Sequence, residues 1–211
     1  MSQENSLSYK ITNTYSTLNK KTEKTKNVWL VFHGIGYLSR YFLKYFKHLN
    51  SEENYIIAPQ AQSKYYLNSE YRHVGASWLT RENLEAEIEN TLNYVEAVFQ
   101  AENLQNVENL NIFGYSQGVS VATRFIARRK IVCKNLLMHS GRIPEEIQAS
   151  DFRFLKDTRF SFIYGTEDKY LKNEHLKLEE KRLHQLFPKN LQILSFDGGH
   201  EVNTDLISKF A

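Results

Sequence analysis

The stretch Asn111-Ile112-Phe113-Gly114-Tyr115-Ser116-Gln117-Gly118-Val119-Ser120-Val121-Ala122 decides how the rest of this chain is read. A short apolar run ends in Gly-x-Ser-x-Gly, and a small-residue, helix-compatible segment follows. That order predicts strand, sharp turn and helix, with Ser116 at the apex of the turn. Gly114 and Gly118 are expected where any side chain would collide with the neighbouring strand and helix. The Ser116 hydroxyl would project above the sheet, over helix amides that favour developing negative charge.

Working outward, Val28–Phe32 is a continuous apolar run that marks a strand covered on both faces. Tyr55–Ala58 (stopped by Pro59) reads as the next buried strand, and Leu110–Phe113, Leu136–Met138, Phe160–Tyr164 and Leu191–Phe196 read as further short strands. Leu7–Leu18 alternates loosely and reads as an edge strand, with Lys20–Lys26 a solvated turn after it. Helical patterns occupy Ser39–Leu49, Val119–Arg129, Lys172–Phe187 and Asn203–Phe210. The longest helix carries Leu84, Ile88, Leu92, Val95, Val98 and Phe99 on one stripe, with Thr80 as its expected N-cap. Gln60–Thr80 is polar and aromatic and reads as a long functional loop at the rim of a site. Strands separated by helices predict an α/β fold: a mostly parallel sheet wound on both faces, in a single domain over residues 1–211.

The 211 residues are 41% hydrophobic and 24% charged with a formal net charge of +3, as expected of a soluble globular chain. Lys and Arg are scattered, so no concentrated basic face for nucleic acid is expected. No apolar run reaches the roughly 18–20 residues that span a bilayer, and the N-terminus lacks a secretory pattern. The single cysteine, Cys133, precludes an intramolecular disulfide and reads as a buried small hydrophobe. A cytoplasmic location is the expectation, with a monomer or homodimer both open.

A serine hydroxyl needs a base. Of seven histidines (33, 48, 73, 139, 175, 184 and 200), His200 follows the last strand in Asp197-Gly198-Gly199-His200-Glu201, where a mobile glycine turn can carry an imidazole over the sheet edge. The base in turn needs an acid. Of five aspartates, Asp168 follows a strand through Gly165-Thr166-Glu167, with Glu167 the alternative carboxylate. The order Ser116, Asp168, His200 is that of α/β-hydrolases. Two oxyanion donors are then required. The Gln117 amide is one; the Ile35 amide, in His33-Gly34-Ile35-Gly36 after the Val28–Phe32 strand, is the other, with His33 ordering that loop.

Taken together, Phe32–Gly36, the Trp78 segment before a long helix, Gly114–Gly118, Ser140-Gly141-Arg142-Ile143-Pro144, Gly165–Asp168 and Gly199–Glu201 resemble, in order along almost the whole chain, the phospholipase/carboxylesterase family of α/β-hydrolases, which includes acyl-protein thioesterases and small bacterial carboxylesterases. The resemblance implies a metal-free, cofactor-free serine esterase with a Ser116–Asp168–His200 triad and an oxyanion hole of the Ile35 and Gln117 amides. The chain departs from the family pattern at Tyr37 and Thr80, where acidic residues are common. Apolar and aromatic residues expected at the rim (Tyr37, Trp78, Ile143 and Tyr170 foremost) point to a small ester or thioester with an uncharged, moderately apolar acyl group. A peptidase or C–C hydrolase on the same fold, and a non-catalytic hydrolase-like binding protein, are the competing readings.

Overall fold

The structure, a computed structural model, describes residues 2–171 and 173–211. Met1 and Lys172, the latter the expected first residue of a helix, lie outside the described residues, as does the His175 side chain. The chain builds a seven-stranded sheet and a separate hairpin. The strands are β1 (Tyr15–Leu18), β2 (Asn27–Phe32), β3 (Asn54–Pro59), β6 (Leu110–Tyr115), β7 (Asn135–His139), β8 (Arg159–Gly165) and β9 (Leu191–Phe196), in the order β1-β3-β2-β6-β7-β8-β9. Every pairing is parallel except β1 with β3. The hairpin is β4 (Ser63–Tyr66) with β5 (Val74–Ser77). Helices α1 (Ser39–Phe42), α2 (Leu84–Ala101), α3 (Gln117–Arg129), α4 (Asn173–Leu186) and α5 (Thr204–Ser208) complete the α/β-hydrolase fold.

The continuous apolar runs divide between two cores, as period-two side chains must. In β2, Leu30 and Phe32 join the core beneath α2 and α3, with Ile112, Leu92 and Phe125. Trp29 and Val31 face the opposite core, with Phe42, Phe46, Phe113 and Ile207. An apolar run alone does not fix alignment; side-chain hydrogen bonds between polar groups near the strand starts, two of them fully buried, help to do so. Trp29 Nε1 donates to Asn54 Oδ1 (3.0 Å), Asn135 Nδ2 to Asn111 Oδ1 (2.6 Å) and Arg159 Nε to Asn135 Oδ1 (2.9 Å).

Several expectations are corrected. The edge strand is confined to Tyr15–Leu18, because Leu7, Tyr9 and Ile11 are exposed and unpaired with any strand. Ser39–Leu49 is one α turn followed by a 3₁₀ turn; Leu43, Phe46 and Leu49 are spaced by three, the period that eclipses side chains in the tighter helix, and all are buried. Gln60–Thr80 is no structureless loop. Val74–Ser77 pairs with Ser63–Tyr66 in the hairpin and is tied to the segment after β2: Gly36 N–H donates to Ala76 O (2.9 Å), Tyr37 bridges Ala76, and Ala76 is fully buried. Thr80 does not cap α2, which begins at Leu84; its hydroxyl instead accepts from Glu82 N–H (3.2 Å) and donates to Glu87 (3.0 Å).

Strand polarity gathers the carboxyl ends of β2, β6, β7, β8 and β9 along one edge, where such sheets place their ligands. His33–Ile35, Ser116, Ser140–Arg142, Asp168 and His200 all follow those ends.

Candidate active site

Ser116 stands between β6 and α3 with φ 52° and ψ −118°, outside both helical and extended backbone. Such a conformation costs about 1–3 kcal/mol and persists only where the surroundings enforce it. Here Ser116 N–H donates to His139 O (2.8 Å) and Ser116 O accepts from Val119 N–H (3.0 Å). The glycines are dictated by space. A Cβ on Gly114 would lie 2.6 Å from Gly118 O, and one on Gly118 only 2.1 Å from Phe32 O. Gly141, read from the sequence only as part of the Ser140–Pro144 motif, passes beneath the turn: a Cβ there would meet Ser116 O at 2.2 Å.

The three side chains, drawn from β6, β8 and β9, meet. Ser116 Oγ lies 3.0 Å from His200 Nε2, and His200 Nδ1 lies 2.7 Å from Asp168 Oδ2. An ionised carboxylate only accepts, so Nδ1 carries the proton and Nε2 is left to accept from the serine hydroxyl. Asp168 is buried, and its second oxygen accepts from Tyr170 N–H (2.9 Å). Glu167, the alternative carboxylate, is exposed, and its amide donates to Gly198 O (2.9 Å). The loop carrying His200 is pinned rather than swinging. Besides that bond, Glu201 N–H donates to Gly199 O (3.0 Å), and the Tyr115 hydroxyl donates to His200 O (2.8 Å).

Gln117 N–H opens α3, and as the first amide of the helix it has no intrahelical acceptor. Among the described residues the Ile35 amide also has no acceptor, while its neighbour Gly36 is bonded to Ala76. Two amides are thus available beside the hydroxyl. The Gln117 side chain holds the turn against the base of the hairpin: Oε1 accepts from Trp78 N–H (2.8 Å), and Nε2 donates to Leu79 O (2.8 Å) and Ser77 Oγ (3.0 Å).

Two further histidines sit behind the site, fully buried. His33 Nδ1 donates to Gly34 O (2.8 Å) and Nε2 accepts from Ala61 N–H (3.2 Å), so it orders the loop that carries Ile35. Burial lowers its pKa to about 4. His139 accepts from Asn203 N–H (3.0 Å) and faces Ser140 Oγ (3.0 Å); burial, with a smaller contribution from nearby His200, lowers its pKa to about 3. Both are neutral at pH 7. Cys133 is buried and its thiol is pushed up to about 12 by burial.

A cleft of about 570 Å³ opens beside Ser116, walled by Ile35, Tyr37, Arg142, Tyr170 and Leu171. Tyr37 and Tyr170 therefore lie where substrate contact was expected, Tyr170 edge-on to the His200 ring at 4.7 Å. Trp78 and Ile143 do not. Trp78 is 1% exposed, its indole donates to His33 O (2.8 Å), and its ring packs on Phe32; Ile143 is 2% exposed in the same core. The expectation of substrate contact by these two is corrected: a large apolar side chain next to a site gains more from burial in the core than at a wet rim. A second cavity, of about 610 Å³ around Phe152, Phe160 and Phe187, lies at the opposite end of the sheet. Among the described residues, no group of three His, Cys, Asp or Glu side chains is arranged to hold a metal ion, and no helix is long and apolar enough to cross a membrane.

The family model described as phospholipase/carboxylesterase matches residues 13–210. No curated protein matches the sequence. Among solved structures, acyl-protein thioesterase 2 of Zea mays is similar over 94% of this chain and 97% of its own, at 15% identity and a TM-score of 0.71. A phospholipase/carboxylesterase from Dyadobacter fermentans is similar over 96% and 97%, at 17% identity and a TM-score of 0.68. The esterase PE8 is similar over 95% and 98%, at 18% identity and a TM-score of 0.69.

Proposed function

Because the chain belongs to the phospholipase/carboxylesterase family, we propose that it is a serine hydrolase that cleaves small carboxylic esters or thioesters through an acyl-enzyme on Ser116. The observation that carries the proposal is the unbroken hydrogen-bonded line from the Ser116 hydroxyl through His200 to buried Asp168, at 3.0 and 2.7 Å.

His200 Nε2 takes the Ser116 proton as Oγ adds to the substrate carbonyl carbon. Asp168 holds the Nδ1 proton in place and stabilises the imidazolium. The resulting oxyanion is met by the Ile35 and Gln117 amides, each worth about 3 kcal/mol at such sites. His200 then returns its proton to the departing alcohol or thiol, leaving the acyl group on Ser116. Water, deprotonated by His200, attacks the acyl carbonyl; the acid leaves and the serine hydroxyl is restored. No step requires more than these groups and water.

The whole chain acts as one domain in this proposal, with the β4–β5 hairpin beside the mouth of the site. The lone buried thiol fits a reducing compartment, and the cytoplasm is the proposed location.

The test is 4-nitrophenyl butyrate hydrolysis together with fluorophosphonate labelling. Wild-type protein should turn over the ester and be labelled at one residue, and Ser116→Ala should lose both. Hydrolysis that survives in Ser116→Ala ends the proposal, as does a wild-type protein that neither reacts nor turns over.

A further inference from the structure

Arg142 follows Gly141 off the end of β7 and stands on the wall of the cleft that contains Ser116. Among the described residues it is the one permanently charged side chain on that wall. The surrounding groups are neutral: Ile35, Tyr37, Leu171, Tyr170 and the Ser140 and Ser120 hydroxyls.

What holds Arg142 there is a carboxylate behind it. Glu179, on α4, is buried at 2% exposure. One of its oxygens accepts from Ile143 N–H (3.0 Å), and the other lies 3.5 Å from Arg142 Nε. That contact aims the guanidinium without using its terminal nitrogens, for which the described residues supply no hydrogen-bond partner. The side chain stays 53% exposed. The segment does not need Arg142 as its cationic clamp, because Arg182 already donates to the Ile143, Pro144 and Ile147 carbonyls. A planar fork of N–H donors, steered from behind and free in front, suits a carboxylate.

We propose that the preferred substrate carries an anionic group, a carboxylate in the first instance, that pairs with Arg142 while its ester or thioester carbonyl lies at Ser116. The substrate class is then a hemiester of a dicarboxylic acid, or an ester whose alcohol bears a carboxylate. With the anion on the acid this replaces the uncharged acyl group expected from the sequence; with the anion on the alcohol it leaves that expectation in place. It rests on the esterase reading and narrows it.

The experiment compares kcat/KM within two pairs of isosteres, with the enzyme-free rate subtracted. On the acyl side, 4-nitrophenyl hemiglutarate is set against 4-nitrophenyl valerate; on the alcohol side, 4-carboxyphenyl butyrate against 4-carbamoylphenyl butyrate. One pair should favour its anionic member by about tenfold, chiefly through KM, as a charge-assisted hydrogen bond provides. Raising salt from about 0.02 to 0.5 M should shrink that ratio. Arg142→Gln should bring the ratio to about one, and Arg142→Lys should restore part of it. Because the wild-type ratio needs no variant, poor folding of Arg142→Gln does not rescue the inference. Turnover of neutral esters with no gain from charge in either pair overturns it and leaves the esterase reading intact, and so does a preference that Arg142→Gln leaves unchanged. No turnover of any of the four esters defeats the esterase reading itself, and this inference with it.

Discussion

The Tyr115 hydroxyl donates to the carbonyl of His200 at 2.8 Å, joining the residue before the serine to the histidine that faces it. Tyr115 is nearly fully buried, and its phenol is raised well above its usual range, first by burial and further by Tyr37, Tyr45 and acidic neighbours. It therefore remains a donor at any pH the fold tolerates. Tyr115→Phe keeps the ring and removes the tether. We expect kcat to fall about tenfold as the imidazole loses its fixed position, with about 1 kcal/mol lost in stability. Steady-state kinetics and urea denaturation on the same preparation check both numbers.

Asp168→Asn tests the direction of the hydrogen-bonded line. The amide can still accept from Tyr170 N–H, so the turn should survive. Its NH₂ facing His200 Nδ1 would force the proton to Nε2, where it can no longer receive the serine's. A loss of about 10⁴-fold in kcat is expected, the size seen for this change in other serine hydrolases. Near-normal kcat would show that another group takes the proton.

Gln117→Ala leaves the backbone amide but strips the side chain that holds the hairpin base. Trp78 N–H, Leu79 O and the Ser77 hydroxyl all lose a partner. Ser77 Oγ still donates to Leu79 O (2.9 Å), so Trp78 N–H is the group left unpaired, at a cost of about 1–3 kcal/mol. Calorimetry should record a lower Tm by roughly 2–4 °C per kcal/mol.

His33 and His139 set the acid limb of stability. Their folded pKa values, about 4 and about 3, lie below the ordinary value of 6.5. Between those limits the unfolded chain binds more protons than the native one, so stability rises with pH there. Their contribution is fully present above pH 6.5 and is lost as pH falls toward 4 and then 3. Each group contributes a slope of up to about 1.4 kcal/mol per pH unit. Urea midpoints at pH 7, 6 and 5 should fall progressively, and His139→Gln should flatten the curve; a midpoint constant from pH 7 to 5 would contradict this.

Much of the molecule was legible because its signals are local. Val28–Phe32 is apolar on both faces and reads as a central strand, and Gly114–Gly118, between a short strand and a helix-compatible segment, reads as a sharp turn. Ser116, Asp168 and His200 each follow such a strand, so their convergence could be inferred from chain order. What escaped depends on contacts distant in sequence. Val74–Ser77 is a strand through its hairpin pairing with Ser63–Tyr66, and it is held in place by Gly36 and Tyr37, about forty residues earlier. Trp78 and Ile143 look like rim residues until His33 O and the core are seen to claim them. Arg142 was passed over as one letter of a motif, since nothing near it in the chain announces Glu179. Tyr115 gave no sign of its bond to a carbonyl at the far end of the polypeptide.

The buried side-chain bonds from Trp29 to Asn54 and from Asn135 to Asn111 have a consequence for how the sheet comes together. Greasy strands such as Val28–Phe32 and Leu110–Tyr115 would pack almost as well if displaced by two positions, since the same faces would still be covered. Displacement would separate the Trp29 indole and the Asn135 amide from their acceptors in a place water cannot reach, at a cost of about 1–3 kcal/mol for every orphaned group. Misaligned assemblies are thus penalised at the floor of the sheet, tens of ångströms of chain away from the chemistry. Substituting one aliphatic for another in β2 or β6 should change only how firmly the strands hold; replacing Asn111 or Asn135 should change which alignment they choose.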